Sequence, residues 1–404
     1  METSPTQRIF YMDNLRALAM LLGVLFHAAL PYGPLMSEIW LVADPQNSWL
    51  MDFGAWLSHL FRMPLFFLIA GFFAHMLFDK RGAAGFLRHR AVRIAVPFIL
   101  FLPLLTAAVV WVVVHALAIV ETKAPLLQLM ADNPNGPPPP FSTMHLWFLY
   151  HLFLFCLLAT VGGLFLGGLL KGYIDRIFSH PLHLVYLPLL LIPSLFVNTA
   201  PLPAPEKIIP ELWSFGYYGL FFLFGWQLFG RQAYLDLLAP YWKPMLGTGL
   251  VLYTGLYLLL PDITLASIFA PPSGYNFSLE HIVSVFLEAY AAVFLTLALL
   301  ILGKHFLNRQ STGLRYIADA SYWIYLVHLP VLWLVQVYLI DMELNIWLKF
   351  LVSSGATLLA GLISYALLVR HTPLGRLLNG RRKQVPAKPS ATTFQPSNPT
   401  AQAT

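Results

Sequence analysis

Charged residues are scarce in this chain. Asp, Glu, Lys and Arg together make up 10% of its 404 positions, against roughly 25% in a soluble globular domain. That deficit excludes an ordinary soluble fold. Cysteine is nearly absent too. Cys156 is the single one and lies in an apolar run, so it permits no internal disulfide and forms no metal or redox motif. No internal repeat is visible, and with it goes the inverted-repeat signature of many transporters. No separate soluble domain can be picked out either.

What is present is apolar surface. The chain is 58% hydrophobic with a mean hydropathy of +0.69, and its apolar runs recur along nearly the whole length. The pattern predicts an all-α, polytopic integral membrane protein in a lipid bilayer. Ten spans are expected, near 14–33, 50–78, 92–120, 144–168, 181–198, 213–230, 244–261, 281–302, 319–340 and 346–370. The 31 prolines and 26 glycines suit broken helices and short turns. Arg8, Lys80, Arg81, Arg88, Arg90, Arg93, Lys171, Arg176, Arg231, Lys243, Lys304, Arg309 and Arg315 fall on one side of this topology. Excess basic residues mark the cytoplasmic face, so both termini are expected there. The net charge of +6 is then topology with some attraction to anionic lipid, and no nucleic-acid partner is expected. Arg16 and the length of the first segment argue against a cleaved signal peptide. Residues 1–375 read as one membrane domain. Residues 376–404 read as a cytoplasmic tail, first basic and then rich in Pro, Ser and Thr, of disordered composition. The segments Asp132–Pro140, Asn198–Lys207 and Pro271–Phe277 read as turn-rich outer loops.

Ionisable residues inside the spans are costly in hydrocarbon and default to function. Arg16 and His27 share the first span. Eleven residues bring them within about 20° of one helical face and about 16 Å apart along the axis. Arg16 then lies near the cytoplasmic surface and His27 near the middle of the bilayer. Glu288 lies about 10 Å into a span entered from outside, and His328 about 14 Å into one entered from inside. The three are expected at one level, where an imidazole with a carboxylate partner makes a general base. A plain structural bond stays open for His328, as does pairing of Glu288 with Arg62.

Arg62, in the outer half of the second span, is a candidate to hold an anionic substrate group. Trp147 is a candidate sugar-stacking residue, against the plainer reading of span packing. His145 and His151 are six apart, about 240° around a helix, which argues against a shared metal site; no metal is expected. His75 and His115 read as packing or interface residues. Arg88, Arg90 and Arg93 flank the third span. Ordinary positive-inside charge explains them when taken alone, but beside Arg16 they become a candidate phosphate anchor, because guanidinium groups bind phosphate bidentately. Asp13, three residues before Arg16, can orient that guanidinium.

On these residues the chain resembles the membrane acyltransferase-3 family. The segment DNLRALAMLLGVLFH carries the family's Arg and His with ten residues between them. MPLFFLIAGFF (Met63–Phe73), RHRAVRIAVP (Arg88–Pro97), HLWFL (His145–Leu149) and SYWIYLVHLPV (Ser321–Val331) follow in the family's order. The likeness runs from about Arg8 to Arg370, and it is nearest the glucans biosynthesis protein C branch, associated with succinylation of osmoregulated periplasmic glucans. It implies an O-acyltransferase of the bacterial inner membrane. Such an enzyme takes an acyl group from cytoplasmic acyl-CoA (succinyl-CoA or acetyl-CoA) and passes it to a periplasmic glucan or other carbohydrate, with no permanently bound cofactor. The family's functional residues map onto Arg16, His27, Arg90 and Arg93, and its late motif onto Tyr325 and His328. Glu288 has no secure family counterpart.

The mechanism expected places donor phosphates on Arg16, Arg90 and Arg93, runs the pantetheine arm along the first helix, and uses His27 as general base or transient acyl carrier. Two rivals stand beside it. A proton-coupled exporter of a sugar or lipid-linked glycan also suits intramembrane Arg, His and Glu. A non-catalytic scaffold would tolerate replacement of Arg16 or His27.

Overall fold

The computed structural model describes residues 9–136, 140–165, 171–181, 183–198, 200, 202–266 and 276–380. The tail beyond Gly380 and most of the Pro271–Phe277 loop lie outside the described residues. Among those described, regular structure is helical, apart from one isolated bridge between Ser142 and Lys207. Nine longer helices carry the architecture: α1 (Phe10–Ala29), α2 (Trp49–Arg90), α3 (Val96–Ile119), α4 (Trp147–Phe165), α5 (Leu212–Leu228), α6 (Trp242–Leu258), α7 (Leu279–Phe306), α8 (Thr312–Leu339) and α9 (Ile346–Ser364).

Local sequence explains where several begin. Ser48, Ser278, Ser311 and Asn345 each stand at an N-cap, in extended backbone, and accept a hydrogen bond from an amide of the first turn. Such caps satisfy donors that the helix leaves orphaned, and this matters most at the start of an apolar helix.

Six helical segments among the described residues are long and apolar enough to cross a membrane: Phe10–Tyr32, Trp49–Ile119, Met144–Gly163, Leu279–Phe306, Thr312–Leu339 and Ile346–Val369. The second of these is 71 residues long, more than three times the ~20 that one crossing needs. It is interrupted inside α2 at Gly82, with φ of 66° and ψ of 174°, and widens into a π-helical turn over Ala91–Ala95 that separates α2 from α3. The helices α5 and α6, at 17 residues each, are shorter than that length.

The expected span 181–198 is not one helix. It is a string of short pieces, His183–Tyr186, Leu187–Leu191 and Ile192–Leu195. Pro188 and Pro193 lack the amide that an interior turn requires and clash with the preceding carbonyl. The string still runs the length of the bundle. Phe178 below it packs on Tyr234, and Phe196 above it packs on His281.

The bundle has two distinct ends. At one, the connections after α1, α3, α6 and α8 tie to each other: the Leu126 amide donates to the Glu38 carbonyl, the Leu265 amide to the Glu38 carboxylate, and the Glu121 and Thr122 amides to Asp341. At the other, Arg231 pairs with Asp175 and Lys304 with Asp236, and Asn14 reaches the carbonyls of Leu307 and Arg309. Within the bundle α1 and α7 are the most enclosed. The arm α3 turns Ile99, Leu104 and Trp111 outward, as a helix facing lipid does.

One contact shows why small residues recur here. α2 packs closely against α5. A Cβ at Gly71 would run into the Phe222 carbonyl, and one at Gly225 into the Leu68 carbonyl. The two glycines let the backbones touch reciprocally, the device membrane helices use where burial alone supplies little attraction.

Candidate active site

The last turn of α1 carries His27, and the middle of α8 carries His328. Three hundred and one residues apart in sequence, their rings meet, with His27 Nδ1 3.0 Å from His328 Nε2. The other nitrogen of His328, Nδ1, lies 2.7 Å from the Tyr325 carbonyl oxygen. A carbonyl only accepts, so Nδ1 of His328 carries hydrogen and its Nε2 presents a lone pair in the neutral ring. His27 Nδ1 must then be the donor of the shared bond. That leaves His27 Nε2 unprotonated, with no protein partner bonded to it among the described residues. In the neutral state the chain Tyr325 carbonyl, His328, His27 therefore defines a base with its lone pair free.

The surroundings hold this ring in place. Trp40 lies nearly parallel to it, at 5.9 Å between centroids and 11° between planes. The Trp40 indole donates to Gln336 Oε1, while Gln336 Nε2 donates to the carbonyls of His27 and Ala28. Gln336 is fully buried, so all of its bonding capacity goes to this support. His145 completes the group. Its ring meets His328 edge-on at 5.1 Å, its Nε2 donates to the Leu326 carbonyl, and the Tyr325 hydroxyl donates to its own carbonyl. His145 follows Met144, which holds a φ of 48°, a left-handed conformation uncommon for such a side chain.

Arg62 packs against α1 one turn before His27, its Nη1 3.1 Å from where a Cβ at Gly23 would lie. Its guanidinium sits 4.8 Å over the Phe26 ring, and Nη1 donates to the Leu22 carbonyl at 3.4 Å. Among the described residues, Nε of this buried arginine has no partner. The pairing with Glu288 that the sequence leaves open is not made. Glu288 instead accepts from the Leu202 amide at 3.4 Å and lines a cavity with His59, Tyr217 and Tyr218. The structure thus brings His27 and His328 together and holds Glu288 apart from them, among the residues of that cavity. Depth along a span is arithmetic, but the direction a side chain takes around its helix is set by packing.

Trp147 is buried against Phe67, Tyr218 and His151. It packs between helices. Tyr325 is committed to His145 through its hydroxyl. His75 stacks on Trp226 and bonds its carbonyl, and His115 bonds the Tyr338 hydroxyl.

At the opposite end of α1, Arg16 is half exposed, with Nη2 3.5 Å from Asp13. Arg90 is close enough for the two charges to interact. It lies 5.5 Å over the Phe86 ring, with its Nε unpartnered among the described residues. Arg88 is exposed. Arg93 differs: it donates to the Leu378 carbonyl at 2.9 Å, and Gly380 closes over its guanidinium. Part of its capacity is spent on the helix Pro373–Asn379.

Sequence reasoning missed His59, Trp40 and Gln336. His59 could have been found, because it is an intramembrane imidazole three residues before Arg62 on the same helix. Trp40 and Gln336 left no such signal.

The acyltransferase-3 family model, described as an acyltransferase domain, matches residues 9–368. Among curated relatives, the glucans biosynthesis protein C of Salmonella paratyphi B, of Salmonella enteritidis and of Salmonella typhi are each 26% identical to this chain over 353 residues, covering 82% of it and 84% of the relative. No solved structure matches it.

Proposed function

The chain belongs to the acyltransferase-3 family, and from that premise we propose that this acyl-transferring membrane enzyme moves an acyl group from a cytoplasmic acyl-CoA to a hydroxyl of a periplasmic glucan or related carbohydrate, with His27 as general base. The observation that carries the reading is the oriented bond from His27 Nδ1 to His328 Nε2, which leaves Nε2 of His27 free to take a proton.

The chemistry follows from that atom. His27 Nε2 takes the proton of an acceptor hydroxyl while its oxygen attacks the thioester carbonyl. The tetrahedral intermediate collapses with cleavage of the carbon–sulfur bond. The departing thiolate receives the proton from His27, giving an ester and a free thiol and restoring the base. His328 holds the imidazole in the required tautomer and shares the positive charge while it exists. Arg16 and Arg90, with Arg88 beside them, supply cations for the donor's phosphates, and Arg93 contributes what its bond to Leu378 leaves over. Arg62 has no carboxylate within ion-pair distance among the described residues and suits the far end of a dicarboxylic acyl group such as succinyl.

The same proposal includes a topology. The basic end of the bundle faces the cytoplasm of a bacterial inner membrane. The interrupted string His183–Leu195, α5 and α6 also cross, which makes ten passes with both termini inside. Residues 1–375 form the catalytic unit and 376–404 a tail. The exporter reading has no comparable observation in its favour.

The test uses purified protein in lipid nanodiscs, isotopically labelled succinyl-CoA and a glucan oligosaccharide, with the ester read by mass spectrometry. His27→Ala is expected to lower transfer by about 100- to 10,000-fold with folding intact. Transfer at the wild-type rate would refute the assignment.

A further inference from the structure

A second polar site lies beside the first, behind the Phe26 ring. Phe26 stacks on His59 at 4.9 Å and meets Trp56 edge-on at 5.6 Å, while its own neighbour in sequence is His27. Trp56 and His59 stand three residues apart on one face of α2. Each has a buried nitrogen with no bonding partner among the described residues: Nε1 of Trp56 and Nδ1 of His59. Trp56 is only 8% exposed. Buried polar atoms in native proteins are nearly always satisfied, and exceptions ask for an explanation.

Both residues line one cavity, with Tyr217, Tyr218 and Glu288 opposite. Glu288 spends only Oε1, on the Leu202 amide. The walls combine aromatic faces with aliphatic side chains such as Leu60 and Leu256, and the polar atoms are a committed donor in the indole, a carboxyl acceptor, and an imidazole nitrogen. The free space of about 20 Å³ exceeds the ~10–15 Å³ that one water needs but is far below a sugar ring. A carboxylate lining disfavours an anionic group, and the aromatic walls with paired donor and acceptor fit a neutral hydroxyl.

We infer that this cavity is the acceptor subsite of the transfer reaction: it takes one hydroxyl-bearing arm of the carbohydrate, donated to by Trp56 and accepted by Glu288, and so holds the neighbouring hydroxyl at His27. The inference rests on the carbohydrate-acyltransferase reading and adds to it the place where the acceptor is gripped. Arg62, which lies over the same Phe26 ring, is left for the acyl group.

The test measures acceptor binding apart from chemistry. Purified protein in nanodiscs is titrated with a glucan oligosaccharide in the absence of any donor, and transfer is assayed in parallel. Trp56→Phe keeps the ring and removes the donor; His59→Asn keeps a polar side chain. Each is expected to weaken oligosaccharide binding about tenfold, the scale of one buried hydrogen bond, and to raise the acceptor KM in proportion while donor KM stays within twofold. His27→Ala should bind the oligosaccharide as the wild type does but lose transfer by about 100- to 10,000-fold. If Trp56→Phe and His59→Asn both bind like the wild type while His27→Ala loses transfer to that extent, the subsite is refuted and the catalytic reading stands. If wild-type protein neither binds nor acylates the oligosaccharide, both fall. Raised donor KM with unchanged acceptor binding would also overturn the assignment.

Discussion

His27 donates from Nδ1 to Nε2 of His328 across 3.0 Å, and His328 in turn is held by the Tyr325 carbonyl. The direction of that bond makes His328 a positioning residue with a measurable signature. His328→Phe removes the acceptor and frees the His27 tautomer. The expected result is a fall in kcat of about 10- to 100-fold, the usual scale for losing a group that orients a reactive imidazole, with donor and acceptor KM nearly unchanged. His328→Gln, which keeps an acceptor in reach, should recover part of the rate. A kcat unchanged in both variants would remove His328 from the mechanism.

Arg62 bears on the choice of acyl group. Arg62→Ala is expected to lower transfer from succinyl-CoA at least tenfold more than transfer from acetyl-CoA, because only the former offers a carboxylate to the guanidinium. The ratio of kcat/KM for the two donors measures this directly. An unchanged ratio means that the cation serves packing over Phe26 and nothing more.

Gly71 and Gly225 make a prediction about stability. Alanine at either site places a methyl group against a backbone carbonyl of the facing helix, and a backbone oxygen cannot rotate away. Each substitution should destabilise by about 1–3 kcal/mol, the range for overpacking, read as a lowered Tm in detergent. The double variant should cost less than the sum, since one displacement of α5 from α2 relieves both contacts.

Lys349 and Asp44 form an ion pair at 2.5 Å with side chains only 3% and 4% exposed, and Lys349 also donates to the Ile340 carbonyl. The pair ties the loop after α1, which carries Trp40, to the start of α9. Lys349→Met leaves a buried carboxylate unpaired and is expected to cost about 3–5 kcal/mol. Lys349→Met combined with Asp44→Leu should recover most of the loss. Thermal unfolding followed in the same detergent decides between additive and compensating behaviour.

Glu206 gives a pH dependence. Burial raises its carboxyl above the usual range, partly opposed by the hydroxyl of Ser142, which donates to it at 2.8 Å. A folded pKa above the unfolded one means that the folded state binds more protons. The associated stabilisation is complete at low pH and is lost as pH rises through the folded value. The Thr143 amide, bonded to the Glu206 carbonyl, should therefore exchange with solvent more readily, beyond the intrinsic base-catalysed rate, as pH increases. Glu206→Gln should abolish that excess.

Much of the site was legible before any tertiary contact was known. Arg16 and His27 stand out because apolar helices exclude such residues, and their spacing puts them on one face. His328 is found by the same reasoning. Glu288 shows where that reasoning stops: its depth matched His27, but its direction did not, and it serves the neighbouring cavity. His59 carries the same signal, an imidazole three residues before Arg62 on an apolar helix. Gln336 does not, since a glutamine in a long apolar helix says nothing of the carbonyls and the indole it will meet. The broken passage 183–195 illustrates the other limit, because hydropathy counts apolar residues but does not register the amides that Pro188 and Pro193 lack.

The sequence by itself determined that the chain is helical, lives in a membrane, belongs to an acyl-transferring family and buries a particular set of ionisable groups. These follow from composition, periodicity and ordered motifs, which are properties of residues near one another in the chain. Only the tertiary structure decided that His27 bonds His328 and not Glu288, which nitrogen of His27 is free, and that Trp56 and His59 face a shared cavity. Those depend on how each helix is rotated about its axis. That rotation is set by contacts such as Gly71 against Phe222 and Gly225 against Leu68, between segments some 150 residues apart, which no local pattern encodes.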